Sequence, residues 1–179
     1  MESLIKKNIV AISGSTRKNS TNHLLINAIR ELSKHIFNIT FFEGLVDLPA
    51  FNPDQSFDNT PKSILVFREL LKNADGILIC TPEYAHGVPG TLKNAIDWTV
   101  SSAEFSDKPT ALITASTDGK YGHHALLETL KVIEAKNIEN LQLLIPFAKT
   151  KINLSSEITE EHTLQEIESL ITRFKETIV

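Results

Sequence analysis

The sequence predicts a doubly wound α/β domain, with five parallel strands in the order 2-1-3-4-5 and helices on both faces of the sheet. Three observations lead there. Short apolar runs alternate five times with segments whose apolar residues recur at helical spacing. Those runs are apolar nearly throughout, as strands covered on both faces must be. No repeat, low-complexity tract or linker divides the 179 residues, so one domain over 1–179 is expected. Of the two common doubly wound orders, 2-1-3-4-5 suits five strands better, and it puts the switch point between strands 1 and 3.

The first strand reads from 8 to 13 around Ile9-Val10-Ala11-Ile12, and the helix behind it carries the stripe Leu24, Leu25, Ala28, Ile29 and Leu32. Strand 2 falls around Ile36 to Phe42. An irregular stretch from Glu43 to Asn59 follows, with Pro49 and Pro53. Thr60-Pro61 offers a hydroxyl cap and a proline at the first helical position; the helix is expected to bury Leu65, Val66, Leu70 and Leu71 and to end at Asp75-Gly76. Ile77 to Cys80 is strand 3, and Val88, Leu92, Ala95 and Ile96 form the face of the next helix. Ala111-Leu112-Ile113 is strand 4, before a helix with Ala125, Leu126, Thr129, Leu130 and Ile133 inward. Leu141 to Ile145 is strand 5, stopped by Pro146. The last helix carries Leu164, Ile167, Leu170, Ile171 and Phe174.

Composition narrows the function classes. A net charge of −4 argues against a surface for nucleic acid, which needs a basic face. One cysteine, Cys80, excludes an internal disulfide and a multi-cysteine metal site, and its place in a buried strand suits an inert core residue. No run approaches the roughly 18 apolar residues of a membrane span, and no signal-peptide pattern opens the chain. A soluble cytoplasmic protein, without membrane or nucleic-acid partners, is the expectation. His123-His124 invites a metal, but neighbours on a helix point about 100° apart and rarely share one ion. No G-x-S-x-G elbow marks a nucleophilic serine.

The unusual stretches follow strands 1, 3 and 4, whose following loops share one edge of a parallel sheet. The first, Ser13 to Asn22, precedes a helix whose positive end and free N–H groups suit an anion. It lacks the second and third glycines of a dinucleotide fingerprint and the Gly-Lys-Ser/Thr of a P-loop. Its hydroxyls, amide and the Arg17 guanidinium suit one terminal phosphomonoester, with Lys18 as a further charge; the same residues also fit a polar loop whose Ser20 only caps the helix. The second, Thr81 to Gly90, is stiffened by Pro82 and Pro89 and suits a wall for a planar ligand, or simply a tight strand-to-helix turn. The third, Ser116 to His124, reads as a small, polar, flexible loop able to follow the far edge of a ring; taken without the other two it is simply a surface loop.

Gly14-Ser15-Thr16-Arg17 with Ser20 and Asn22 resembles the G-S-x-R-x-x-S-x-N motif of the NAD(P)H-dependent FMN reductases. Thr81-Pro82-Glu83-Tyr84, Val88-Pro89-Gly90 and Leu92-Lys93-Asn94-Ala95-Ile96-Asp97-Trp98 are similar to the family's second motif, and Leu48-Pro49 with Phe51-Asn52 to its loop after strand 2. The resemblance implies a flavodoxin-like three-layer sandwich, non-covalent FMN, NADPH or NADH as reductant, and a homodimer or homotetramer. The implied acceptor is a small molecule such as a quinone, a flavin, an azo compound or a metal oxyanion. The resemblance implies that Ser15, Thr16, Arg17, Ser20 and Asn22 hold the phosphate. Pro82, Glu83, Tyr84, Ala85 and His86 would line the flavin ring, and Ser116 and Thr117 its other edge. Hydride would pass through flavin N5, with no catalytic side chain. Ala85 stands where many members have Asn, and the third loop lacks their double glycine. Trp98 reads as a core or interface residue rather than a cofactor contact, and Val88, Leu92, Trp98 and their neighbours become candidates for an oligomer surface. An FMN-binding electron carrier without NAD(P)H oxidation, and a phosphate-ester binding module without redox activity, are the rival readings.

Overall fold

A computed structural model describes residues 5–178. Five parallel strands, β1 (Lys7–Ser13), β2 (Phe37–Phe42), β3 (Gly76–Thr81), β4 (Thr110–Ala115) and β5 (Gln142–Ile145), form one sheet in the order β2-β1-β3-β4-β5. The helices are α1 (Thr21–Leu32), α2 (Lys62–Lys72), α3 (Gly90–Asp97), α4 (Lys120–Val132) and α5 (Glu161–Thr177). This is the flavodoxin-like order expected from the chain.

Alternate strand residues feed two cores, because successive side chains of a strand point to opposite faces. Ile9, Ala11, Leu78 and Ile113 meet Leu25, Ile29, Ile167, Leu170 and Phe174 of α1 and α5. Val10, Ile12, Ile77, Ile79 and Leu112 meet Phe67, Leu71, Leu92, Leu126 and Leu130 of α2, α3 and α4. Burying strands on both sides explains why their sequences are continuous apolar runs.

Five expectations are corrected. Helix α2 presents Ile64, Phe67, Arg68 and Leu71 to the interior, while Leu65 and Val66 are 53% and 58% exposed. Thr60 does not cap it: Pro61 occupies the cap position, and the Thr60 hydroxyl donates instead to the Phe57 carbonyl. Helix α4 begins at Lys120, so the flexible third loop shrinks to residues 116–119, and Ala125 faces outward. Leu92 and Trp98 are fully buried and supply no oligomer surface.

Trp98 and Asn94 serve the fold. Trp98 Nε1 and Asn94 Nδ2 both donate to the Pro49 carbonyl, at 2.9 and 3.0 Å. Asn94 Oδ1 accepts the Phe51 N–H at 2.7 Å, and the Phe51 ring stands edge-on to Trp98. The long connection after β2 is thereby stitched to α3, whose own start carries the second loop.

Candidate functional site

The carboxyl ends of β1, β3, β4 and β5 lie along one edge, and that edge is held together by hydrogen bonds between loops. After β1 the Gly14 N–H continues the ladder to the Cys80 carbonyl at 2.9 Å. A Cβ at Gly14 would lie 2.1 Å from Thr81 Oγ1, so only glycine lets the first loop pass this close to β3. Ser13 Oγ accepts the Ser15 N–H and donates to the Ser15 carbonyl, tightening the turn. Ser20 caps α1, its Oγ accepting the His23 N–H at 3.2 Å. That leaves the Thr21 and Asn22 N–H groups at the positive end of α1 without intrahelical acceptors.

The Asn22 side chain is occupied within the fold. Its Nδ2 donates to the Ala115 carbonyl, and its Oδ1 accepts from Cys80 Sγ, both at 3.3 Å. Asn22 thus fastens the start of α1 to β3 and β4. Burial pushes the Cys80 thiol far above its ordinary range, so it stays protonated and unreactive.

In the second loop Tyr84 and Gly87 exchange backbone hydrogen bonds of 3.1 and 2.9 Å around Ala85 and His86. Both enclosed residues have positive φ, 48° and 58°. Glycine or asparagine fits such a turn better, so the backbone here is strained, by about 1–2 kcal/mol per residue. The turn is gripped from both sides. The Glu83 N–H donates to Ser116 Oγ at 3.3 Å, and the Glu83 carboxylate accepts the Gly122 N–H of α4 at 2.6 Å. The Tyr84 hydroxyl lies 3.5 Å from Ser15 Oγ, joining the second loop to the first.

A cleft of about 440 Å³ opens between these loops, within the usual size of small-molecule sites. Ser15, Arg17, Ser20 and Asn22 line it from the first loop, Pro82, Glu83 and Tyr84 from the second, Ser116 and Thr117 from the third. Thr16 does not face it. With Lys18, His23 and Phe41 it lines a neighbouring cavity of about 270 Å³ on the other side of the first loop. Ala85 and His86 form the tip of their turn outside the cleft lining, and the His86 ring lies against Tyr121, centroids 4.5 Å apart. His123 is tied to Thr114 Oγ1 and Gln142 Oε1 at 2.8 Å each, and the described residues hold no metal-ligating cluster.

The sequence pattern missed a fourth wall. Phe147, Ala148, Lys149 and Thr150, directly after β5, also line the cleft. The Phe147 N–H donates to the Thr117 carbonyl and the Ala148 N–H to the Ser116 carbonyl, both at 3.1 Å. Topology was the available signal, since this connection leaves the sheet at the same edge as the others.

The donor set fits FMN. Hydroxyls, a guanidinium and free N–H groups line the cleft on the side of the first loop and the start of α1, where a phosphate would be held. A proline-stiffened wall stands beyond them for a planar ring.

The description NADPH-dependent FMN reductase matches residues 7–150. A quinone reductase of Escherichia coli K12 is 28% identical over 183 residues, covering 97% of this chain and 96% of the relative. An NAD(P)H-dependent FMN reductase of Pseudomonas aeruginosa is 29% identical over 159 residues, covering 86% and 85%. The solved flavoenzyme NAD(P)H:(acceptor) oxidoreductase of Paracoccus denitrificans superimposes with a TM-score of 0.77 at 22% identity, covering 96% of this chain and 97% of that one.

Proposed function

The chain belongs to the NADPH-dependent FMN reductases, oxidoreductases that work with FMN and NAD(P)H, and from that footing we propose that it carries hydride from NAD(P)H through bound FMN to a small quinone-class acceptor. The observation that carries this reading is the convergence of loops from distant parts of the chain on one cleft, with donors from the first loop and a proline-bearing wall from the second. The relative in Escherichia coli, named a quinone reductase, supports the acceptor class.

FMN supplies the two-electron chemistry, while the protein binds, orients and tunes. Arg17, Ser15, Ser20 and the N–H groups opening α1 hold its phosphate. Pro82, Glu83 and Tyr84 wall one side of the ring. Ser116 Oγ accepts the Glu83 N–H and so keeps its own hydroxyl proton to donate to the ring edge. Fixed donors of this kind stabilise negative charge on a reduced ring without reorganising. No side chain is assigned an acid–base step.

The proposal includes one domain over the full length, residence in the cytoplasm, and a homodimer or homotetramer. Exposed Leu65 and Val66 on α2 replace Leu92 and Trp98 as the apolar surface for assembly. No helix of the described residues is long and apolar enough to cross a membrane.

A visible spectrum of the purified protein after adding FMN is the first test. Failure to bind any flavin sinks the proposal. Bound flavin that NADH and NADPH cannot reduce, with quinone or ferricyanide present, favours an electron carrier instead.

A further inference from the structure

The cleft carries a cation that the sequence motifs do not account for. A phosphomonoester holds about −1.5 to −2 charges at neutral pH. Arg17 offsets one of them. Lys18, its neighbour in sequence, lines the other cavity. The chain as a whole, at −4, supplies no general positive field.

Lys149 lines the same cleft as Arg17. It is exposed, and it enters none of the ion pairs among the described residues. The other charged group of the lining, Glu83, is already engaged by the Gly122 N–H. A short chain of bonds ties the Lys149 segment to the start of α1. Asn22 Nδ2 donates to the Ala115 carbonyl, and Ala148 N–H donates to the carbonyl of the next residue, Ser116. Phe147, just before, holds a positive φ of 52° under its bonds to Thr117 and Thr150. A bulky residue takes that conformation only where its surroundings fix it.

We infer that Lys149 is the second cation of the phosphate end, holding the FMN phosphate from the β5 side of the cleft while Arg17 holds it from the β1 side. It acts on the phosphate alone and so makes the cleft prefer FMN to riboflavin. The inference rests on the FMN reading above and adds a residue outside the motifs of its family.

Apo-protein titrated with FMN and with riboflavin, by quenching of flavin fluorescence, separates the two. Lys149→Met is expected to weaken FMN about five- to ten-fold at low salt, as for one unit charge near an exposed anion, and to flatten the salt dependence. Riboflavin affinity should not change, and Lys149→Arg should restore FMN binding. Arg17→Ala should weaken FMN more than about ten-fold, as loss of a hydrogen-bonded charge does. Unchanged FMN affinity in Lys149→Met, alongside a weakened Arg17→Ala, overturns the role of Lys149 and leaves the FMN reading standing. An equal loss for FMN and riboflavin also overturns it, placing Lys149 at the ring or in the fold. A wild-type protein that binds no FMN removes both readings together.

Discussion

Replacing Gly14 by alanine tests the geometry on which the cleft depends. The added methyl would stand 2.1 Å from Thr81 Oγ1, 2.7 Å from Thr81 Cβ and 3.1 Å from Leu92 Cδ2. Neither neighbour has room to retreat, since Thr81 is 1% exposed and Leu92 fully buried. Turning the threonine away would break its 3.0 Å bond to the Pro82 carbonyl at the root of the second loop. Overpacking costs about 1–3 kcal/mol and the lost bond about 1 kcal/mol more, so a loss of about 2–4 kcal/mol is expected. For a chain of this size that lowers the melting temperature by roughly 5–15 °C. Thermal unfolding of the apo-protein reads the loss, and FMN titration reads the displacement of the first loop. Thr81→Ala removes the nearest atom but leaves the 2.7 Å contact, so in the double variant it should recover part of the stability and not all. A Gly14→Ala protein that melts within about 1 °C of wild type and binds FMN equally well would refute the argument.

Thr16→Ala and Lys18→Met should each leave FMN affinity within about two-fold of wild type, because both residues line the second cavity; a larger loss of either in titration would place the phosphate elsewhere. Arg68→Met should lower stability by about 2–5 kcal/mol, measured by urea unfolding, by stranding the Trp98 and Ser56 carbonyls that the buried guanidinium satisfies. FMN affinity should be kept, since Arg68 does not line the cleft. Burial holds the His123 pKa below its ordinary 6.5, with the Gln142 bond opposing and neighbouring His124 adding to the shift. The unfolded chain therefore takes up this proton first. Stability from neutral His123 is complete above about pH 6.5 and is lost as pH falls below it. The urea midpoint should fall less between pH 7 and pH 5 in His123→Gln than in wild type; equal slopes would show that the imidazole is not coupled to folding.

The strands were legible because a strand buried on both sides has no polar alternative, and Ile9 to Ile12 or Ile77 to Cys80 show that without any alignment. Helix α2 was not. Ile64, Leu65, Val66, Phe67, Leu70 and Leu71 are apolar almost all the way round, so periodicity offers no single phase. The choice is made by Arg68, whose Nε donates to the Trp98 carbonyl at 2.9 Å. Turning Arg68 inward to the end of α3 turns Leu65 and Val66 out. A buried cation with neutral partners is a tertiary fact, absent from any pattern of hydrophobicity.

The first loop shows the same limit at the site itself. Read as a list of donors, Ser15, Thr16, Arg17 and Lys18 seem to share one anion. In the fold they divide: Arg17 lines the cleft, Thr16 and Lys18 line the cavity behind it, and Ser15 lines both. Arg17 to Asn19 form a turn, with Asn19 at a positive φ of 55° and the Ser20 N–H donating to the Arg17 carbonyl, and that turn parts Arg17 from Lys18. On the inference drawn above, the second charge facing a dianion comes from another strand end. Lys149, after β5, lines the same cleft from the same edge of the sheet. Spacing within a motif thus says which residue types meet a ligand. Which of them do so is decided by the turn the backbone makes and by the loops that the sheet order sets beside it.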